Sequence, residues 1–264
     1  ATIRFNVGGM NYDRASAVAL QSDGKIVVAG TVDLGGGDTD FGVARLNPDG
    51  SLDTSFHGDG KTTISFNLGG LNSDVANDVT IDGEGRIVVV GTVERADAGN
   101  ADLGIARLNS NGSLDTSFNA TSPFAGRQFI GFNFGGPGER RDTGEAVAID
   151  SNNRLVVGAT VQVSATNYDF GVTRLNPDGS IDDSFNPGFL PMGRQVVPFN
   201  LGGSNADKLR DLAIHDGRII LGGTVSRDGG NTDFGVARLQ SNGQIDPTFN
   251  MSGTVPGQQV IPFD

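Results

Sequence analysis

No cysteine occurs among the 264 residues, so disulfides and thiolate metal centres are excluded. Tryptophan is also missing, and tyrosine is limited to Tyr12 and Tyr168. An aromatic platform for sugar binding would have to be built from phenylalanine. The two histidines, His57 and His215, are too few for a histidine-built zinc site. Basic residues are outnumbered, 19 Lys and Arg against 31 Asp and Glu, for a formal charge of −12. Nucleic acids and anionic membranes need a basic surface, so neither is expected as a partner. No apolar run approaches the roughly 18 residues of a membrane span, and no membrane insertion is expected. No signal-peptide pattern opens the chain, which leaves localisation unread.

What is abundant is glycine, 41 residues, spread as a many-turned β protein needs rather than in a collagen-like period. The glycines punctuate a repeat. "DFGVARLNPDGSLDTSF" (Asp40 to Phe56) returns as "DLGIARLNSNGSLDTSF" from Asp102, "DFGVTRLNPDGSIDDSF" from Asp169 and "DFGVARLQSNGQIDPTF" from Asp233. Ahead of each copy stands a run such as "AVALQSDGKIVVAGTV" from Ala17, split by a turn into two β-rich halves, which reads as a hairpin. A third run, "TIRFNVGG", "TISFNLGG", "FIGFNFGG" and "VVPFNLGG", has a truncated fifth copy in "VIPFD".

Each repeat therefore supplies about four short strands, at a spacing of roughly 60 to 70 residues, and no segment has sustained helical periodicity. The expected fold is all-β: a β-propeller of four four-stranded blades with one extra terminal strand. Residues 1–264 are taken as a single propeller domain, with approximate repeats at 10–67, 71–133, 137–200 and 204–264, and 1–9 as a closing or spare strand. The expected closure is a four-bladed ring, with a two-chain ring or larger assembly as the alternative. The spare strand edge is a route to a homo-oligomer.

The run "DGKIVVAGT" followed by "DFGVARLNPDGSLDTSF" resembles the delta-60 repeat family, bacterial repeat proteins of largely uncharacterised function, and the resemblance covers all four units. It implies a propeller-like fold in an exported or cell-surface bacterial protein, and it brings no reaction and no catalytic residue. In the third repeat Gly158, Ala159 and Thr160 depart slightly from the pattern.

Comparison among the copies sorts scaffold from candidate site. Arg45, Arg107, Arg174 and Arg238 share one position, and Asp53, Asp115, Asp182 and Asp246 another, symmetric about the "NPDG"-type turn. They are expected to form one structural ion pair per blade. The turn matches type I chemistry with a glycine bulge rather than a calcium loop, since Asn111 and Asn242 replace Asp49 in two copies.

At the opposite loop end Asp40, Asp102, Asp169 and Asp233 recur, as do Asp13, Asp74, Asp142 and Asp207 after the Gly-Gly loops. Two readings stand for these eight: aspartates that cap backbone N–H groups of their own loops, or rings of oxygen ligands for Ca²⁺. No other cofactor is called for. Nucleophile-elbow, zinc-protease and phosphate-loop patterns are missing. His57 and His215 are unrepeated and read as loop residues, while Phe124, Phe189, Leu190, Pro191 and Met192 place apolar groups in the longer loops. The function expected is a non-catalytic extracellular or cell-surface module for binding or assembly, with a protein or extracellular polymer as partner. The alternative is an extracellular hydrolase with its carboxylates on the loop-rich face.

Overall fold

The computed structural model describes the chain except residues 1, 6, 10, 11, 71, 97–98, 135–139, 189–190, 203–205 and 263–264. Phe189, Leu190 and the end of "VIPFD" thus lie outside the described residues. Four antiparallel sheets of four strands follow one another in chain order. Blade one comprises β1 (Arg14–Leu20), β2 (Ile26–Gly35), β3 (Asp38–Leu46) and β4 (Lys61–Ile64). Blade two has β5 (Val75–Ile81), β6 (Ile87–Glu94), β7 (Ala101–Leu108) and β8 (Arg127–Ile130). Blade three has β9 (Thr143–Ile149), β10 (Leu155–Gln162), β11 (Tyr168–Leu175) and β12 (Arg194–Val197). Blade four has β13 (Lys208–His215), β14 (Arg218–Ser226), β15 (Thr232–Leu239) and β16 (Gln258–Ile261).

The "VIPFD" copy therefore enters blade four through β16, and the supernumerary copy is the one at the N-terminus, which reaches blade one through Phe5 over Gly42. No helix among the described residues is long and apolar enough to cross a membrane.

The middle strands β6, β7, β10 and β11 are buried along nearly their whole length. Continuous β-branched and small residues such as "IVVVGTV" suit a strand covered on both faces. Each first strand carries a one-residue bulge against its neighbour: the register steps from Ala15 to Ala17, Ala76 to Asp78 and Leu209 to Asp211, and in blade three from Gly144 to Ala146. The bulge sharpens the local twist at the same place in every blade.

It also explains the departure in blade three. A Cβ at Gly30 would meet the Arg14 carbonyl and Ala15 Cα; blade three has Ala159 at that position, and the residue facing it is Gly144. The small residue has moved across the ladder.

The chain divides into two compact units, residues 1–130 with blades one and two and residues 131–264 with blades three and four. In the first unit Val27, Phe41, Phe56, Phe66, Val79 and Val89 form one buried cluster. In the second, Phe170, Phe185, Phe199, Leu209, Leu212 and Ile219 form its counterpart.

Candidate functional site

At the "NPDG" end the repeated charges form clamps. Arg45 Nε lies 2.7 Å from Asp53 Oδ2, and the same distance separates Arg107 from Asp115 and Arg174 from Asp182; in blade four Arg238 and Asp246 are 2.8 Å apart. The other carboxylate oxygen accepts from a hydroxyl two residues on, at 2.6 Å from Ser55 and from Ser117, 2.5 Å from Ser184 and 2.7 Å from Thr248. Each guanidinium also stacks on the phenylalanine that ends the motif: Phe56, Phe118 and Phe185 at 4.7 Å and Phe249 at 5.0 Å.

A second cation converges on the same aspartates from the β1–β2-type turn of each blade. Lys25, Arg86, Arg154 and Arg218 lie at 3.1, 3.7, 3.2 and 3.1 Å. Sequence reasoning missed this partner, although a basic residue closes every "SDGK"-type turn and was there to be aligned. For Asp115, burial pushes the carboxyl up, but the Ser117 donors and Arg107 outweigh it and hold it below the usual range. Asp49, in the turn itself, is occupied by the Ser51 N–H and hydroxyl at 2.9 and 2.6 Å.

At the other loop end the two sets of aspartates differ. Asp13, Asp74, Asp142 and Asp207 each accept two backbone N–H groups, one from the "FN" phenylalanine and one from the end of the second strand. The donors are Phe5 and Asp33 at 3.2 and 3.3 Å, Phe66 and Glu94 at 3.2 and 3.1 Å, Phe132 and Gln162 at 2.6 and 3.1 Å, and Phe199 and Ser226 at 3.3 and 2.9 Å. These four are structural latches that satisfy two otherwise stranded donors apiece.

The set of Asp40, Asp102, Asp169 and Asp233 is buried too, but it divides. Asp102 pairs with Arg95 at 3.0 Å and Asp233 with Arg227 at 2.9 Å. Blades one and three have Leu34 and Val163 where those arginines stand. Asp40 and Asp169 consequently keep an Oδ1 that accepts no hydrogen bond among the described residues. Burial, then the charges of Asp74 and Asp38, push Asp40 up to about 6, against the opposing charge of Arg127. Burial and Asp207 do the same for Asp169, also to about 6. Asp74 is raised to about 6, chiefly by burial, against the pull of its two N–H donors.

The side-chain oxygens Oδ1 of Asp38, Asn100 and Asn167, two residues before the repeated aspartate, are likewise enclosed and accept no hydrogen bond among the described residues, as is that of Asn72, whose backbone carbonyl accepts from the Thr39 N–H. Among the described residues no group of three or more His, Asp or Glu side chains is placed to hold a metal ion. A cation here would need asparagine oxygens in its ligand set.

Of the other residues singled out, His57 is exposed with φ 52°. The imidazole of His215 is exposed and sits 3.4 Å from Asp216. Phe124 packs edge-on against Phe129 at 5.5 Å between centroids, while Met192 is exposed.

No curated protein gives a significant match to the chain. Among solved structures, an α-L-arabinanase of Penicillium chrysogenum in complex with arabinobiose is similar at 9% identity and a TM-score of 0.55, over 94% of this chain and 67% of that one. The α-L-arabinofuranosidase Arb93A of Fusarium graminearum is similar at 8% identity and a TM-score of 0.54, over 96% of this chain and 69% of that one. At such identities the likeness establishes the propeller architecture alone. The profile of a family described as a domain of unknown function, DUF5122 beta-propeller, matches residues 21–56, 85–118, 151–185 and 215–249, one segment per blade and together over half of the chain. The chain belongs to the DUF5122 β-propeller family.

Proposed function

We propose that this chain is a non-catalytic propeller module for binding or assembly at the bacterial cell exterior, with its acidic loop ends holding a hard cation such as Ca²⁺. The observation that supports the non-catalytic reading is repetition. The Arg–Asp clamps and the Asp latches recur in all four blades with the same partners, whereas an active site needs one asymmetric cluster. The cation reading is supported by the enclosed Oδ1 atoms of Asp38, Asp40 and Asn72 in the first unit and of Asn167 and Asp169 in the second. Buried oxygens without donors are costly unless something positive meets them.

Melting curves at two pH values test the cation reading. In chelator, the folded-state values of about 6 for Asp40, Asp74 and Asp169 exceed the unfolded value of about 3.9. The folded state then binds protons more tightly than the unfolded chain, so stability rises as pH falls from 7 through 6 toward 4. Below about pH 3 the depressed clamp carboxylates start to protonate and stability falls again. The expected gain between pH 7 and pH 5 is roughly 5 °C. Millimolar Ca²⁺ at pH 7 should produce a similar rise, and at pH 5 almost none, because protons and the cation compete for the same oxygens. A melting temperature indifferent to calcium at both pH values sinks the cation reading.

A second reading, a hydrolase, draws on one observation: Asp40 is held near neutral pKa beside Asp74 and Asp38, an acid–base arrangement used in glycoside hydrolysis. The structurally similar propellers named above are an α-L-arabinanase and an α-L-arabinofuranosidase, so arabinan is the substrate to try. No reducing sugar should be released. Release abolished by Asp40→Asn and Asp169→Asn would overturn the non-catalytic reading.

A further inference from the structure

The hairpin between the second and third strands is built on one plan. In three blades the residue after the second strand donates its backbone N–H to the carbonyl of an asparagine: Arg95 to Asn100 at 3.1 Å, Val163 to Asn167 at 3.0 Å and Arg227 to Asn231 at 2.8 Å. In blade one Leu34 follows Asp33, which faces Thr39 across the ladder as Glu94 faces Ala101. The position therefore carries arginine in blades two and four and an aliphatic side chain in blades one and three. Arg95 and Arg227 reach the aspartate of their own blade at 3.0 and 2.9 Å. Leu34 and Val163 bring no charge to theirs.

The two aspartates left without an arginine are enclosed. Asp40 and Asp169 are 5% and 4% exposed, and each keeps an Oδ1 with no donor among the described residues. The residue before each of them is fastened to the next blade of the same unit. Thr39 donates its N–H to the Asn72 carbonyl at 3.1 Å and accepts from the Asp74 N–H at 2.9 Å, and Tyr168 accepts from the Asp207 N–H at 2.8 Å. Side chains two apart on a strand share a face. Asp38 thus stands beside Asp40 and Asn167 beside Asp169, each with its own donorless Oδ1, and Asn72 adds another such oxygen in the first unit. Arg127, whose charge favours the ionised form of Asp40, donates to the Ser65 carbonyl. In blade two Asn100 Oδ1 also lacks a donor, but an amide oxygen is neutral, and the carboxylate of that blade is paired.

We propose that blades one and three each bind one divalent hard cation at this hairpin, in the role that the arginine guanidinium fills in blades two and four. Asp38, Asp40 and Asn72 supply oxygens in the first unit, and Asn167 and Asp169 in the second, with water completing the shell. The chain thus takes two ions and not four: two blades carry their cation covalently, as arginine, and two recruit it from solution. The first site has two carboxylates and the second has one. Calcium affinity rises with ligand charge, so the first site is the tighter. The inference rests on the cation reading above and deepens it, adding where the ions sit, how many there are and which side chain excludes them.

Equilibrium dialysis against Ca²⁺ counts the ions. At neutral pH, in about 0.15 M NaCl to screen the net charge and up to about 10 mM free Ca²⁺, the wild-type chain should bind two. Leu34→Arg and Val163→Arg, both at half-buried positions, should each bind one, the first variant losing the tighter site, and the double variant none. Leu34→Met should still bind two, since it changes shape and not charge. In chelator, Leu34→Arg should melt about 2–4 °C above the wild type, a gain that needs no metal. The wild-type count decides without recourse to a variant. No bound ion overturns the cation reading and this inference together. Any other number than two overturns the inference alone and leaves a cation held elsewhere. Two ions persisting in either arginine variant, with the circular dichroism of the wild type, do the same.

Discussion

Asp115→Ala lowers the melting temperature by about 10 °C. The change takes from Arg107, a residue only 1% exposed, the carboxylate that lies 2.7 Å from its Nε. It also takes the acceptor from the Ser117 hydroxyl and N–H, at 2.6 and 3.0 Å. Removing one partner of a buried pair costs about 3–5 kcal/mol, because the other charge stays buried without compensation. At this chain length each kcal/mol moves the midpoint by about 2–4 °C. Asp115→Asn should lose less, since an amide oxygen still accepts from Arg107 and Ser117. The counterpart Asp246→Ala should be milder, because the Arg238 and Arg218 side chains are 25% and 48% exposed and can be solvated. A midpoint for Asp115→Ala within about 1 °C of wild type would show that the clamp carries no stability. Thermal denaturation of the three variants, followed by circular dichroism, is sufficient.

Phe41→Ala is expected to cost about 3–5 kcal/mol, the usual range for truncating a fully buried phenylalanine. The ring is 0% exposed, fills the space over Gly91 and Gly104, and meets Phe66 at 5.1 Å between centroids. Both glycines are needed for that approach, since a side chain on either would occupy the space the ring takes. The same substitution at Phe234, which is 57% exposed, should cost the isolated chain no more than about 1 kcal/mol. Chemical denaturation of the two variants reads the difference. Equal losses would mean that the blade-to-blade packing of Phe41 contributes nothing special.

The readability of this chain comes from its redundancy. Four aligned copies expose the turn, the Arg–Asp spacing and the β-rich runs, because a motif under the same local constraint in every blade must keep the same residues. The Arg45–Asp53 spacing places the pair on facing strands at fixed distances from a tight turn, so local geometry was enough to anticipate it. The second cation, Lys25 or its arginine counterpart, comes from a different turn about 28 residues away in sequence, with Lys25 beside Asp53 and Arg154 beside Asp182. No local pattern links the two turns, and it stayed hidden although every copy carries it.

The loop-end aspartates show the same boundary more sharply. By sequence alone Asp40, Asp102, Asp169 and Asp233 are four equivalent positions. Folding makes them two kinds, because Arg95 and Arg227 bend back to Asp102 and Asp233 while Leu34 and Val163 cannot pair with a carboxylate. Which strand is left over was likewise undecided until β16 took its place beside β15 and left the N-terminal copy to blade one.

The sequence by itself determined the four-fold repetition, the all-β class and the chemistry of the turns, since hydrogen-bonding period and turn dihedrals act over a few residues. Only the tertiary structure decided which carboxylates are latched, which are paired and which keep an oxygen without a donor. Burial and charge pairing are properties of neighbours distant along the chain, and near-identical repeats acquire different neighbours.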